Sequence, residues 1–279
     1  MSLVGRPRTP RLAVLGPRGT LDLCLPDPGD AIAGVPATGG DPRSALARFA
    51  PDVVVALDPQ PDTLDLLVGA APEAVHVAFV TREHERATDL SGYARAISAA
   101  GGDGAWRELA LPVADRLYAP VAQPAVRPRA LFVGAGSPAR DDFLLALKHD
   151  FDLMHAVGGL SVDELQSLLA RSDVGVVLAR HPGSRAADHM GFVHLAAGHL
   201  LIGDRPAARH GLRPGIDFVG VEAQWQAAHV LATLRATPDA FRSMRVTGRR
   251  SAERFRASRV WPWLAADVLA DVRAFGRAA

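Results

Sequence analysis

Short apolar runs alternate along the chain with segments of helical periodicity, and this rhythm predicts parallel β-strands joined by α-helices. Arg11–Gly16, Asp52–Asp58 and Ala74–Val80 are rich in Val, Leu and Ala and read as buried strands, with Tyr93–Ser98 a weaker one. Pro42–Phe49 and Pro61–Val68 read as short helices between them. From Leu111 to Pro128 prolines recur without periodicity, which marks a connection between two domains.

The alternation restarts at Ala130–Val133, a strand that breaks into Gly134-Ala135-Gly136-Ser137-Pro138. Ser137 suits a helix N-cap and Pro138 the first helical position, with Phe143, Leu144 and Leu147 supplying an apolar face. Phe151–His155 is the next strand. Ser161-Val162-Asp163-Glu164 then forms a capping box ahead of Leu165, Leu168 and Leu169. Asp173–Leu178 predicts a further strand, Ala179–Ala186 a loop, Ala187–Ala197 a helix and His199–Gly203 a strand. A polar loop to Phe218 precedes helical patterns over Ala223–Arg235, Asp239–Phe255 and Val260–Phe275. The fold class is α/β, with two Rossmann-like halves.

Composition narrows the class. The chain has 279 residues, enough for one large or two ordinary domains, and 48% hydrophobic with 22% charged residues suits a globular protein. A net charge of +1 gives no electrostatic reason to expect nucleic acid as a partner. Lys148 is the single lysine, and with abundant Ala, Gly and Pro this reads as the coding bias of a GC-rich bacterial genome. Cys24 is the single cysteine, so neither an intrachain disulfide nor a cysteine zinc site can form, and a cytoplasmic location is expected. No apolar run approaches the roughly 20 residues of a membrane-spanning helix.

Two regions offer chemistry. Gly134-Ala135-Gly136-Ser137 joins a strand's carboxyl end to a helix's amino end, where main-chain N–H groups and the helix dipole favour an anion. The same turn can be purely structural, and Ala139 stands where a dinucleotide fingerprint wants a third glycine. His181, His189, His194, His199 and His210 crowd the second region. A five-residue spacing rotates side chains by about 140° around a helix, so His189, His194 and His199 do not form a zinc face, and no metal is expected. His194 reads either as pointing into the crevice or as a satisfied core histidine. In the first half, Glu83 and His84 follow a strand's carboxyl end and are candidate bases toward an acceptor hydroxyl, or members of a solvated loop.

Ala110–Pro120 with Leu131-Phe132-Val133-Gly134, the stretch His194–Ile202 containing Leu195-Ala196-Ala197-Gly198, the loop His210–Phe218 and the ending Ala252–Trp261 occur in that order. Together they resemble bacterial GT-B glycosyltransferases of the group 1, spore-maturation-protein-like type. The resemblance covers Leu109 to the C-terminus. It implies two Rossmann-like domains facing a cleft: an acceptor domain over 1–122, a nucleotide-sugar domain over 123–260, and a crossover helix over 261–279 returning to the first domain. The activity it implies is metal-independent sugar transfer from a nucleotide-diphosphate sugar to an unidentified acceptor, with no cofactor and with a homodimer left open. Donor contacts are then expected from Gly134, Gly136, Ser137, Arg140, His181, Asp188, His194, Gly198 and His199, with Arg140 facing the diphosphate. Asp188 and Met190 stand where such proteins usually place a glutamate and an arginine, and Ala135 stands where many carry an arginine. A non-catalytic nucleotide-sugar-binding protein and a sugar-nucleotide epimerase are the alternatives.

Overall fold

The computed structural model describes residues 8–81, 89–99, 107–123, 125–179, 189–204 and 210–276. The first half runs β1 (Leu12–Gly16), α1 (Arg18–Cys24), β2 (Ile32–Pro36), α2 (Pro42–Phe49), β3 (Val53–Leu57), α3 (Thr63–Ala70), β4 (Val75–Val80), β5 (Arg95–Ser98) and β6 (Arg107–Glu108). The second runs β7 (Ala130–Val133), α4 (Pro138–Asp150), β8 (Leu153–Ala156), α5 (Val162–Ala170), β9 (Val174–Val177), α6 (His189–Ala196), β10 (Leu200–Gly203), β11 (Val219–Gly220), α7 (Gln224–Ala236), α8 (Arg242–Ala252) and α9 (Ala257–Phe275).

Two separate sheets result, ordered β2-β1-β3-β4-β5-β6 and β11-β10-β9-β7-β8. All their strand pairings are parallel. Parallel strands need helices on both faces, and the central ones are accordingly apolar throughout: β1, β3, β4, β9 and β10 are buried at every position. Taken in chain order, both sheets begin with the doubly wound sequence 2-1-3-4, so the strand order reverses between β1 and β3 and again between β7 and β9.

Local signals explain the helix starts. The Ser137 hydroxyl accepts the Arg140 N–H at 3.4 Å, and Pro138 follows it. Around α5, Glu164 accepts the Ser161 N–H at 2.8 Å while the Ser161 hydroxyl accepts the Glu164 N–H at 3.3 Å, a complete capping box. Elements absent from the sequence reading are α1 and the edge strands β2, β6 and β11, each short or half exposed.

The proline-rich connection starts as a buried strap. Ala110, Leu111, Val113, Ala114 and Leu117 are all buried. Val113 donates to Phe255 O and accepts from the Ala257 N–H, at 2.8 and 2.9 Å, and Ala114 donates to Leu23 O at 2.8 Å. Two passes of the chain therefore lie side by side here. Beyond them α9 packs on the first sheet, with Trp261 fully buried, its ring edge-on to Phe79 and its indole N–H donating to Cys24 O at 2.6 Å. Arg95 and Arg107 from β5 and β6 pair with Asp267 on the same helix, and Arg95 also with Asp271. Among the described residues no helix is long and apolar enough to cross a membrane.

Candidate functional site

At the switch point of the second sheet, β7 runs into the turn Gly134–Ser137 and β9 is followed by Leu178 and Ala179. The Gly134 N–H donates to Ala156 O at 2.9 Å, continuing the ladder to β8. Ala135 and Gly136 are exposed, and among the described residues the N–H groups of Ala135, Gly136 and Ser137 donate to no protein group. These three amides stand at the positive end of the thirteen-residue helix α4. The Asp141 carboxylate lies against Gly136, where a Cβ would fall 2.9 Å from Oδ1, so a side chain at 136 would make the exposed Asp141 swing aside.

Arg140 was expected to face a diphosphate, and the structure gives it a different task. Only 5% exposed, its guanidinium donates to Ala135 O at 3.0 Å, to Ala179 O at 3.1 Å and to Leu178 O. It also lies 5.4 Å from the Phe132 ring centroid. Beside it the His155 Nε2 shares a 3.0 Å hydrogen bond with Gly134 O, a contact the sequence reading missed. Two carbonyls of the turn, Gly134 O and Ala135 O, are thus held by side chains, while the amides of 135–137 have no protein acceptor among the described residues.

The α6–β10 segment departs further from expectation. His194 does not point into a crevice: its side chain is fully buried against Gly175 of β9, where a Cβ would fall 2.2 Å from the His194 Cγ. Gly198 ends α6 with φ +78° and folds His199 back, so that the two Nδ1 atoms lie 3.1 Å apart despite the unfavourable spacing. His199 Nε2 bonds Leu169 O at 3.0 Å, which assigns its proton there and makes Nδ1 the acceptor of the His194 Nδ1–H. The His194 Nε2 then remains a buried acceptor without a partner among the described residues. His189 turns the other way and bonds Pro112 O at 2.9 Å. Burial lowers the pKa of His189 and His199 to about 4 and that of His194 well below 6.5, so all three are neutral at pH 7. Gly198 itself meets the strap, its Cα facing Val121 and the Pro120 carbonyl. Gly198, His194 and His199 are therefore packing residues of the second half. Among the described residues no three His, Cys, Asp or Glu gather in a group that could hold a metal ion.

Glu83, His84, His181 and Asp188 lie outside the described residues. In the first half the structure draws attention to Asp58 instead, at the carboxyl end of β3 beside the β1–β3 reversal. Asp58 has φ +46°, and its carboxylate accepts the Thr81 N–H at 2.7 Å and the Thr81 hydroxyl at 2.5 Å. The only local hint of this in the sequence is the turn-forming pair Asp58-Pro59. The halves also meet at His210, in the loop after β10. It bonds Ala99 O beyond β5 at 2.8 Å and lies 3.5 Å from Glu108.

No protein-family model matches the chain, and no curated protein matches it. Solved structures match in fold. Anabaena Alr3699/HepE in complex with UDP-glucose superposes with TM-score 0.56 at 9% identity, over 94% of this chain and 100% of that one. A glycosyltransferase from Rickettsia africae gives 0.58 at 10%, over 94% and 99%. An α1,3-fucosyltransferase with GDP-fucose gives 0.53 at 12%, over 98% and 92%. At such identities the likeness establishes architecture, and the chain has the GT-B fold of these glycosyltransferases.

Proposed function

We propose that the chain is a glycosyltransferase that moves a sugar from a nucleotide-diphosphate donor, held by the second half, to an acceptor held by the first. In this reading the halves divide at the expected boundaries near residues 122 and 260, and the carboxyl ends of both sheets would line the cleft between them. The carrying observation is the Gly134–Ser137 turn. Three main-chain amides without a protein acceptor among the described residues, at a helix start and a sheet's switch point, suit a diphosphate in a fold whose solved neighbours bind UDP-glucose and GDP-fucose. The contact from His210 to Ala99 supports the same arrangement, because it brings the loops beyond the carboxyl ends of β10 and β5 together.

In this reading the departing diphosphate is stabilised by amides and the α4 dipole, and transfer needs no metal. Calorimetric titration with UDP, GDP, UDP-glucose and GDP-fucose tests the donor site, and turnover is then followed with and without EDTA. Saturable binding of one nucleotide family is expected, with EDTA-insensitive turnover. Absence of binding across the whole panel would remove the proposal.

A second reading, binding without turnover, is favoured by one observation: Arg140, the arginine in the first turn of α4, is engaged with three carbonyls. Tight binding with no hydrolysis or transfer would select it.

A further inference from the structure

Arg140 is the third residue of α4, yet its side chain turns back onto the sheet rather than out to water. Its fork reaches carbonyls from two strand ends: Ala135 O after β7, and Leu178 O and Ala179 O after β9. These ends border the switch point, where neighbouring loops diverge and no ladder hydrogen bonds hold them together. A planar guanidinium with five donors in fixed directions can bridge such a gap, whereas an ammonium on a flexible stem cannot reproduce the pattern. Phe132 underlies the group and His155 secures the adjacent Gly134 carbonyl. Turning this fork away from the sheet toward a phosphate would break charge-assisted bonds to both strand ends.

We propose that Arg140 is a positioning residue: it ties the turn after β7 to the end of β9, so that the Ala135, Gly136 and Ser137 amides form the anion-binding surface. The ligand half of this inference rests on the nucleotide-diphosphate reading above, while the tie itself does not. Arg140→Lys keeps the charge and loses the fork. Arg140→Gln loses both.

Hydrogen–deuterium exchange without ligand reads the tie. Both variants are expected to exchange faster than the parent in peptides covering 133–141 and 176–179, with α9 peptides unchanged. Unaltered exchange at the turn in Arg140→Lys would overturn the tie.

Calorimetry with UDP and GDP reads its consequence. The two variants should weaken binding alike, by about tenfold, as loss of a group that orients a ligating one commonly does. A direct phosphate contact predicts otherwise, because lysine is itself a good phosphate binder. Near-parental affinity in Arg140→Lys with a large loss in Arg140→Gln would overturn the positioning role. If the unaltered protein binds neither nucleotide, the proposed function fails, and the exchange measurement still decides the tie.

Discussion

His194 lies against the bare Cα of Gly175, so closely that a methyl group there would stand 2.2 Å from the imidazole Cγ. The contact joins α6 to a central strand of the second sheet, and neither residue can change alone. Gly175→Ala should destabilise the protein by about 1–3 kcal/mol through overpacking. His194→Ala also loses stability by emptying a packed volume, but Gly175→Ala added to it should be far less costly. Urea unfolding of the four proteins in a double-mutant cycle checks this; additive losses would contradict the contact.

Stability should fall as the solution is acidified below pH 6.5. His189 and His199 have pKa values lowered to about 4 by burial, and that of His194 lies well below 6.5, while unfolded histidines titrate near 6.5. Below 6.5 the unfolded chain therefore binds more protons than the folded one. Stability contributed by the neutral histidines is complete above that pH and is lost progressively down to about 4. Well inside this window each histidine costs about 1.4 kcal/mol per pH unit. Denaturation at pH 7.5, 6 and 5 should show a flat region followed by a steep decline. Equal stability at pH 7.5 and 5 would refute the assignment.

Trp261 carries a large apolar surface and one buried donor. Trp261→Ala should cost about 3–5 kcal/mol, and Trp261→Phe should cost less but leave the Cys24 carbonyl unpaired, about 1–3 kcal/mol. Thermal unfolding measures both. Near-parental stability of Trp261→Ala would show that α9 does not hold the first sheet.

Asp58 combines a left-handed backbone with two hydrogen bonds to Thr81. Asparagine tolerates that backbone and keeps one acceptor oxygen, so Asp58→Asn should be the milder change. Asp58→Ala should lose about 1–3 kcal/mol, from strain and an orphaned Thr81 N–H together. Chemical denaturation of both variants distinguishes them, and an alanine variant as stable as the asparagine one would contradict the geometry.

The elements that local chemistry specifies were the legible ones. Val53–Leu57 and Val75–Val80 announce buried parallel strands by composition, and Ser137-Pro138 and Ser161–Glu164 announce helix starts through bonds within a few residues. Strand β2 was missed because Ile32-Ala33-Gly34-Val35-Pro36 sits half exposed at an edge and lacks a long apolar run. The GT-B architecture could be reached from motif resemblance, and the turn at Gly134 from its glycines. Side-chain direction could not. Whether Arg140 faces a ligand or the Leu178 and Ala179 carbonyls is decided by atoms some forty residues away, and the orientation of His194 is decided by the missing side chain at Gly175.

The seat of Trp261 beneath Phe79 and Cys24 also fixes an order of events during synthesis. Strands β1 to β5 leave the ribosome well before α9, the helix that seals their underside, has been translated. The first sheet thus acquires its finished interior only once α9 has emerged, and until then its exposed face must be kept from sticking to other nascent chains.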